Sequence, residues 1–131
     1  MTRPAGNPSD RLDKCPAPPR HLSERARVEW RRLGPVAVAL GTLTRADLRA
    51  FELLVETLAT ETTAREEVTA SGYSVPTGDG GQKPHPAVRI MEEARRQSRA
   101  LLSDFGLTPK GRGTVKPAPA GDGDGWDELL A

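Results

Sequence analysis

Apolar residues recur at helical spacing in three stretches of this chain. Ala26, Trp30 and Leu33 fall at i, i+4 and i+7 behind Ser23, a good N-cap, with Leu22 just outside it as a staple. Gly34-Pro35 predicts a break or kink near Leu33, after which Pro35 can start a further turn through Val36–Leu40. Gly41 ends that piece. Thr44 and Asp47 have the spacing of a capping box and open the strongest pattern, a helix over about 45–70. Leu48, Phe51, Val55 and Leu58 form its stripe, with Leu54 beside it. Such a helix is roughly 35–40 Å long, too long to be buried within one small chain, so it needs a partner helix. Ser71-Gly72 stops it. Tyr73–Pro84 reads as a short loop or hairpin around Asp79-Gly80, with Pro76 limiting any strand to an edge. Pro86 then starts a third helix, about 86–104, with Val88, Met91, Ala94 and Leu101 near one face. Gly106 ends it, and Pro109 is expected to prevent a restart.

The predicted fold class is therefore all-α: three main helices, a short loop or hairpin before the last, and flexible termini. Residues 1–21 read as a Pro-rich flexible arm, 22–109 as the helical domain, and 110–131 as a flexible linker with an acidic tail. Composition supports the division. The chain has 131 residues, with 13 Gly, 12 Pro, 36% hydrophobic and 4% aromatic residues. Seven prolines fall in 1–20 and 110–131, so the low average belongs largely to the ends. A thick two-layer core is not expected, and a thin helical core gains by burying surface against copies of itself.

The net charge of +1 hides an uneven distribution. Residues 1–21 carry an excess of two basic residues, and 113–131 an excess of three acidic ones. Different ends are thus suited to different partners, or serve only solubility. Cys15 is the sole cysteine, which excludes an intrachain disulfide and a thiolate cluster and fits a reducing cytoplasm. His21 and His85 are the only histidines, so a multi-histidine metal site within one subunit is excluded. No apolar run approaches the ~18 residues of a membrane span, and no apolar stretch follows Met1, so neither membrane nor secretory signal is expected. Gly78-Asp79-Gly80-Gly81 lacks the Lys-Ser/Thr of a P-loop. Glu66-Glu67 and Glu92-Glu93 are adjacent helical positions pointing about 100° apart, so neither makes a carboxylate dyad. No catalytic residue, metal or cofactor is expected.

Arginines are the candidates for nucleic acid, because phosphate binding needs cations on a surface and gains from counterion release. Arg25, Arg31 and Arg32 lie on the first helix, Arg45 and Arg49 at the start of the long one, and Arg89, Arg95, Arg96 and Arg99 on the third. The first helix and the basic arm are the more exposed, DNA-facing parts in this reading. Glu92 and Glu93 can pair with Arg96, and a solvated or ion-paired face is the plainer alternative. Trp30 is read as core and His85 as a turn or cap residue. Trp126, Leu129 and Leu130, on an acidic background beyond the linker, suit a short motif that docks into a groove.

The order of these signals resembles one family of phage terminase small subunits. The resemblance is carried by Pro18-Pro19-x-x-Leu22-Ser23 before the Trp30 helix and by Gly41-x-Leu43-Thr44-x-x-Asp47. His85-Pro86 and Phe105-Gly106-Leu107-Thr108-Pro109-x-x-Arg112 complete it over about 18–112. Asp104-Phe105-Gly106-Leu107 departs from the family pattern, which usually has Leu before the Gly. The resemblance implies a non-enzymatic, helical, ring-forming homo-oligomer in the cytoplasm of the infected bacterial host. It implies that the ring binds viral double-stranded DNA and delivers it to the large subunit, which holds the ATPase and nuclease. The partner assigned to Trp126, Leu129 and Leu130 is then that large subunit. The competing reading is a dimeric helical DNA-binding regulator or scaffold; a nuclease accessory subunit would need a metal cluster that the sequence lacks.

Overall fold

Ser23 begins the first ordered helix as its spacing predicts: its Oγ accepts from the Ala26 N–H at 3.2 Å, opening α1 (Glu24–Leu40). The computed structural model describes residues 10–119. Within them α1 is followed by a 3-10 turn (Arg45–Asp47) and α2 (Leu48–Ser71). A two-stranded antiparallel hairpin comes next, β1 (Ser74–Pro76) and β2 (Gln82–Pro84), then α3 (Pro86–Asp104) and a short α4 (Pro109–Thr114). The architecture is mostly helical, with α2 packed on both α1 and α3.

Three expectations are corrected. Helix α1 runs unbroken through Gly34 and Pro35. Gly34 is there for a close approach: a Cβ at this position would sit 2.3 Å from Cys15 Sγ. Pro35 lies on the exposed side, where a freed carbonyl can meet water, while Ala37, Val38 and Leu40 beyond it are buried. Packing of those residues outweighs the lost helical hydrogen bond. Second, the capping-box pair meets through side chains, Thr44 Oγ1 donating to Asp47 Oδ2 at 2.8 Å, and the 3-10 turn intervenes before α2. Third, Pro109 starts a helix instead of preventing one. Thr108 Oγ1 accepts from the Gly111 N–H at 2.9 Å, and Pro109 occupies the first turn, where its missing N–H costs nothing.

The described residues that flank the helical domain are held to it at several points. Residues 11–20 form no helix and only one isolated bridge, and Trp30 Nε1 donates to the Pro16 carbonyl at 2.8 Å. Arg11 forms a β-bridge with Thr44, and its Nη1 donates to the Ala118 carbonyl at 2.8 Å. The Ala118 N–H donates to the Gly41 carbonyl at 2.8 Å. Gly41 (φ 75°) closes α1 in the left-handed region, and both ends of the described chain gather around it. Burial pushes the Cys15 thiol pKa up, partly opposed by a hydrogen bond with Trp30.

The core is built on Trp30, Phe51 and Phe105, one from each of α1, α2 and the end of α3. Trp30 and Phe51 meet edge-on at 4.9 Å between ring centroids, and Phe51 and Phe105 at 5.4 Å. Leu22, Leu43, Leu54 and Val55 fill the space around them. A second, thinner cluster of Ala64, Val68, Ala87 and Met91 holds the far end of α2 against the start of α3. His85 Nδ1 accepts from the Ala87 N–H at 3.0 Å, so it caps α3 as read.

Candidate nucleic-acid interface

Helix α3 displays Arg95, Arg96 and Arg99 within little more than one turn, and its C-terminal end decides what stands opposite them. Gly106 (φ 67°) reverses the chain, with the Leu107 N–H donating to the Leu102 carbonyl at 2.8 Å and the Gly106 N–H to that of Ser103 at 3.0 Å. The reversal lays α4 back on α3. The approach is so close that a Cβ on Gly111 would fall 2.3 Å from the Ser103 carbonyl oxygen. Arg112 Nη1 donates to the Gly106 carbonyl at 3.2 Å and fastens the corner. Lys110 is thereby brought to the same groove as Arg95, Arg96 and Arg99, which Glu92, Ala100, Ser103 and Thr108 complete. The groove holds about 610 Å³.

The cations differ in how free they are. Arg95 Nε lies 3.1 Å from Glu61, which also faces Arg65 at 3.2 Å, and Arg96 Nη1 lies 2.5 Å from Glu93. The Arg96–Glu93 pair is exposed on both sides and holds its arginine only weakly, so it can be exchanged for a phosphate, whereas Arg95 and Arg65 share a Glu61 whose side chain is only 16% exposed. Arg99 and Lys110 make no ion pair among the described residues and are exposed.

The first-helix arginines do not form a comparable group. Arg25 crosses to α2 and meets Glu66 at 2.6 Å. That hydrogen bond holds the Glu66 carboxyl below its ordinary pKa and raises that of Arg25. Arg32 faces Glu29 at 3.6 Å, and Arg31 is exposed without an ion pair among the described residues. Arg45 is exposed on the 3-10 turn, and Arg49 faces Glu52 at 3.2 Å. Lys110 is the member of the groove that sequence reasoning missed. Its signal was Thr108-Pro109, an N-cap followed by a first-turn proline, taken instead as a stop. Trp30, only 2% exposed, is core as expected and offers no stacking platform. Trp126, Leu129 and Leu130 lie outside the described residues.

Substituting Gly111 tests how the groove is built. Gly111→Ala pushes a methyl group into the Ser103 backbone, which cannot yield, so α4 must move and carry Lys110 with it. A loss of about 1–3 kcal/mol of stability is expected by denaturant titration, the range for overpacking.

Among the described residues no group of three or more His, Cys, Asp and Glu is placed to hold a metal, and no helix is long and apolar enough to cross a membrane. Fold and groove thus define a small helical protein that gathers four cations along one groove. The family model for the small subunit of phage terminase matches residues 26–122. The chain belongs to that family, and with it to the machinery of phage DNA packaging. None of the curated proteins and none of the solved structures compared matches it.

Proposed function

We propose that this small terminase subunit binds viral double-stranded DNA as an oligomeric ring, non-enzymatically, through the groove between α3 and α4. It then presents that DNA to the large subunit and modulates its ATPase and nuclease. The observation that carries the reading is the convergence of Arg95, Arg96, Arg99 and Lys110 on one groove. Phosphates need cations held at a surface without being buried, and these four are so placed. The proposed setting is the cytoplasm of the infected host.

The ring reading is favoured by a separate surface. Leu53 on α2 and Ile90 on α3 are 52% and 51% exposed and line one groove with Thr57, Pro86 and Ala94. Two large aliphatic side chains left half in water, in a groove that Glu56, Arg89, Glu93 and Gln97 also line, form a face that a second copy can cover. In this reading α2 and α3 supply both the subunit's core and its interface. The pair Leu53→Asp and Ile90→Asp should reduce the native mass from a ring to the 14.1 kDa monomer. An assembly of unchanged mass would place the interface elsewhere, and a dimer in the unaltered chain would favour the regulator or scaffold reading.

Trp126, Leu129 and Leu130 are proposed to engage the large subunit. Replacing all three with Ala should leave the native mass of the ring intact and weaken stimulation of the large subunit's ATPase. Full stimulation by that variant would remove these residues from the partner site.

A further inference from the structure

Residues 120–131 contain four acidic side chains, Asp122, Asp124, Asp127 and Glu128, and no basic one. The segment leaves the described fold beside Ala118, whose N–H and carbonyl are both held, by Gly41 and Arg11. Its starting point relative to the cationic groove is bounded by the chain itself. Lys110 lies in α4, which rises 1.5 Å per residue to Thr114, and the four residues from there to Ala118 span at most ~3.6 Å each. The Cα atoms of Ala118 and Lys110 are thus no more than about 20 Å apart. Beyond Ala118 the chain reaches about 20 Å by Asp124 and about 30 Å by Asp127. The carboxylates at 124, 127 and 128 are therefore within range of Lys110.

Spacing adds to reach. Asp122 and Asp124 are two residues apart, so on an extended strand they share a face at roughly 6.6–6.8 Å. Arg95 and Arg99 are one helical turn apart, about 6 Å along α3. Two carboxylates at that interval can meet two guanidinium groups at nearly the same interval, as successive phosphates of a nucleic-acid strand would. Arg99 and Lys110 are also the two groove cations without an ion pair among the described residues, so they can accept a carboxylate without displacing another.

We infer that residues 120–131 of this chain dock by their carboxylates into the groove of Arg95, Arg96, Arg99 and Lys110, where they compete with DNA phosphates. The docking itself is independent of the DNA reading; the competition rests on it. DNA must displace the segment, and the segment is freed for another partner when DNA binds. If the segment occupies the groove for about 70–90% of the time, apparent DNA affinity falls about three- to tenfold.

The test uses the full chain at low salt. Without DNA, zero-length carbodiimide coupling should join Lys110 to Asp124, Asp127 or Glu128, read by mass spectrometry, and added duplex should suppress the product. In parallel, the variant Asp122→Asn, Asp124→Asn, Asp127→Asn, Glu128→Gln should bind duplex three- to tenfold more tightly. The same four changes should give less than a twofold gain when Arg99→Gln and Lys110→Gln are already present. Absence of the Lys110 coupling, or an equal gain in both backgrounds, overturns the inference, since mere long-range repulsion would act in both. If the coupling forms but Arg99→Gln with Lys110→Gln leaves DNA affinity unchanged, the docking stands and the DNA reading is what fails.

Discussion

In a chain whose Asp122, Asp124, Asp127 and Glu128 are already Asn or Gln, replacing Arg99 and Lys110 together with Gln should lower affinity for double-stranded DNA about thirtyfold per protomer at ~0.15 M salt, the counterion-release value of two phosphate contacts. These two are chosen because neither has an ion pair among the described residues, so neither is held by a carboxylate of the helical fold. Arg95 and Arg96 must first release Glu61 and Glu93, so each should contribute less. Both altered side chains are exposed, and Gln keeps most of their length, so helix content and melting should be unchanged. The loss should also be similar for all duplex sequences, because phosphate contacts position a protein without reading bases. The corresponding change at Arg31 and Arg32 separates the two candidate surfaces. It should alter affinity little, since those residues lie outside the groove that gathers Arg95, Arg96, Arg99 and Lys110.

Phe51→Ala should be the most damaging single substitution for stability, costing about 3–5 kcal/mol, the range for deleting a buried aromatic ring. The Phe51 ring is fully buried and lies edge-on to both Trp30 and Phe105. Its removal leaves a cavity at the one point where α1, α2 and the end of α3 all meet. The aromatic contacts are lost together with the transfer energy of the ring. A domain of this size has roughly 5–15 kcal/mol in hand, so the variant should be marginal or unfolded. Denaturant titration followed by far-ultraviolet circular dichroism measures it. A loss below about 1 kcal/mol would mean that the core does not depend on the three-ring contact.

The helices were legible because their signals are local. Ser23, His85-Pro86 and Gly106 bound their helices in the structure as their chemistry predicts, and α3 covers Pro86–Asp104 as the periodicity indicates. Trp30 was placed in the core by its register with Ala26 and Leu33. What was missed is long-range. Gly34 looks like a helix breaker along the chain, and only the arrival of Cys15 from nineteen positions earlier shows it to be a close-packing site. The anchoring of residues 11–16 depends on Thr44, Ala118 and Trp30, which no pattern within that segment encodes.

The candidate site divides in the same way. The cations of α3 could be read from their spacing, but Lys110 joins them only because Gly111 lets α4 lie on the Ser103 backbone. Conversely, Arg25 looks as available as any other arginine until Glu66, forty-one positions away, is seen beside it. Periodicity shows which face carries charge. It cannot show which charges are already paired across helices, and that distinction decides which arginines can serve a ligand.

The central claim, that the α3–α4 groove takes DNA phosphates, is tested most directly by the salt dependence of binding. If the four groove cations each meet a phosphate, the logarithm of affinity should fall against the logarithm of salt with a slope of about −3.6 for one protomer, steeper as more protomers engage. The Arg99→Gln, Lys110→Gln variant should halve that slope. An equal slope in the two proteins, or a slope near zero in the unaltered chain, would contradict the claim.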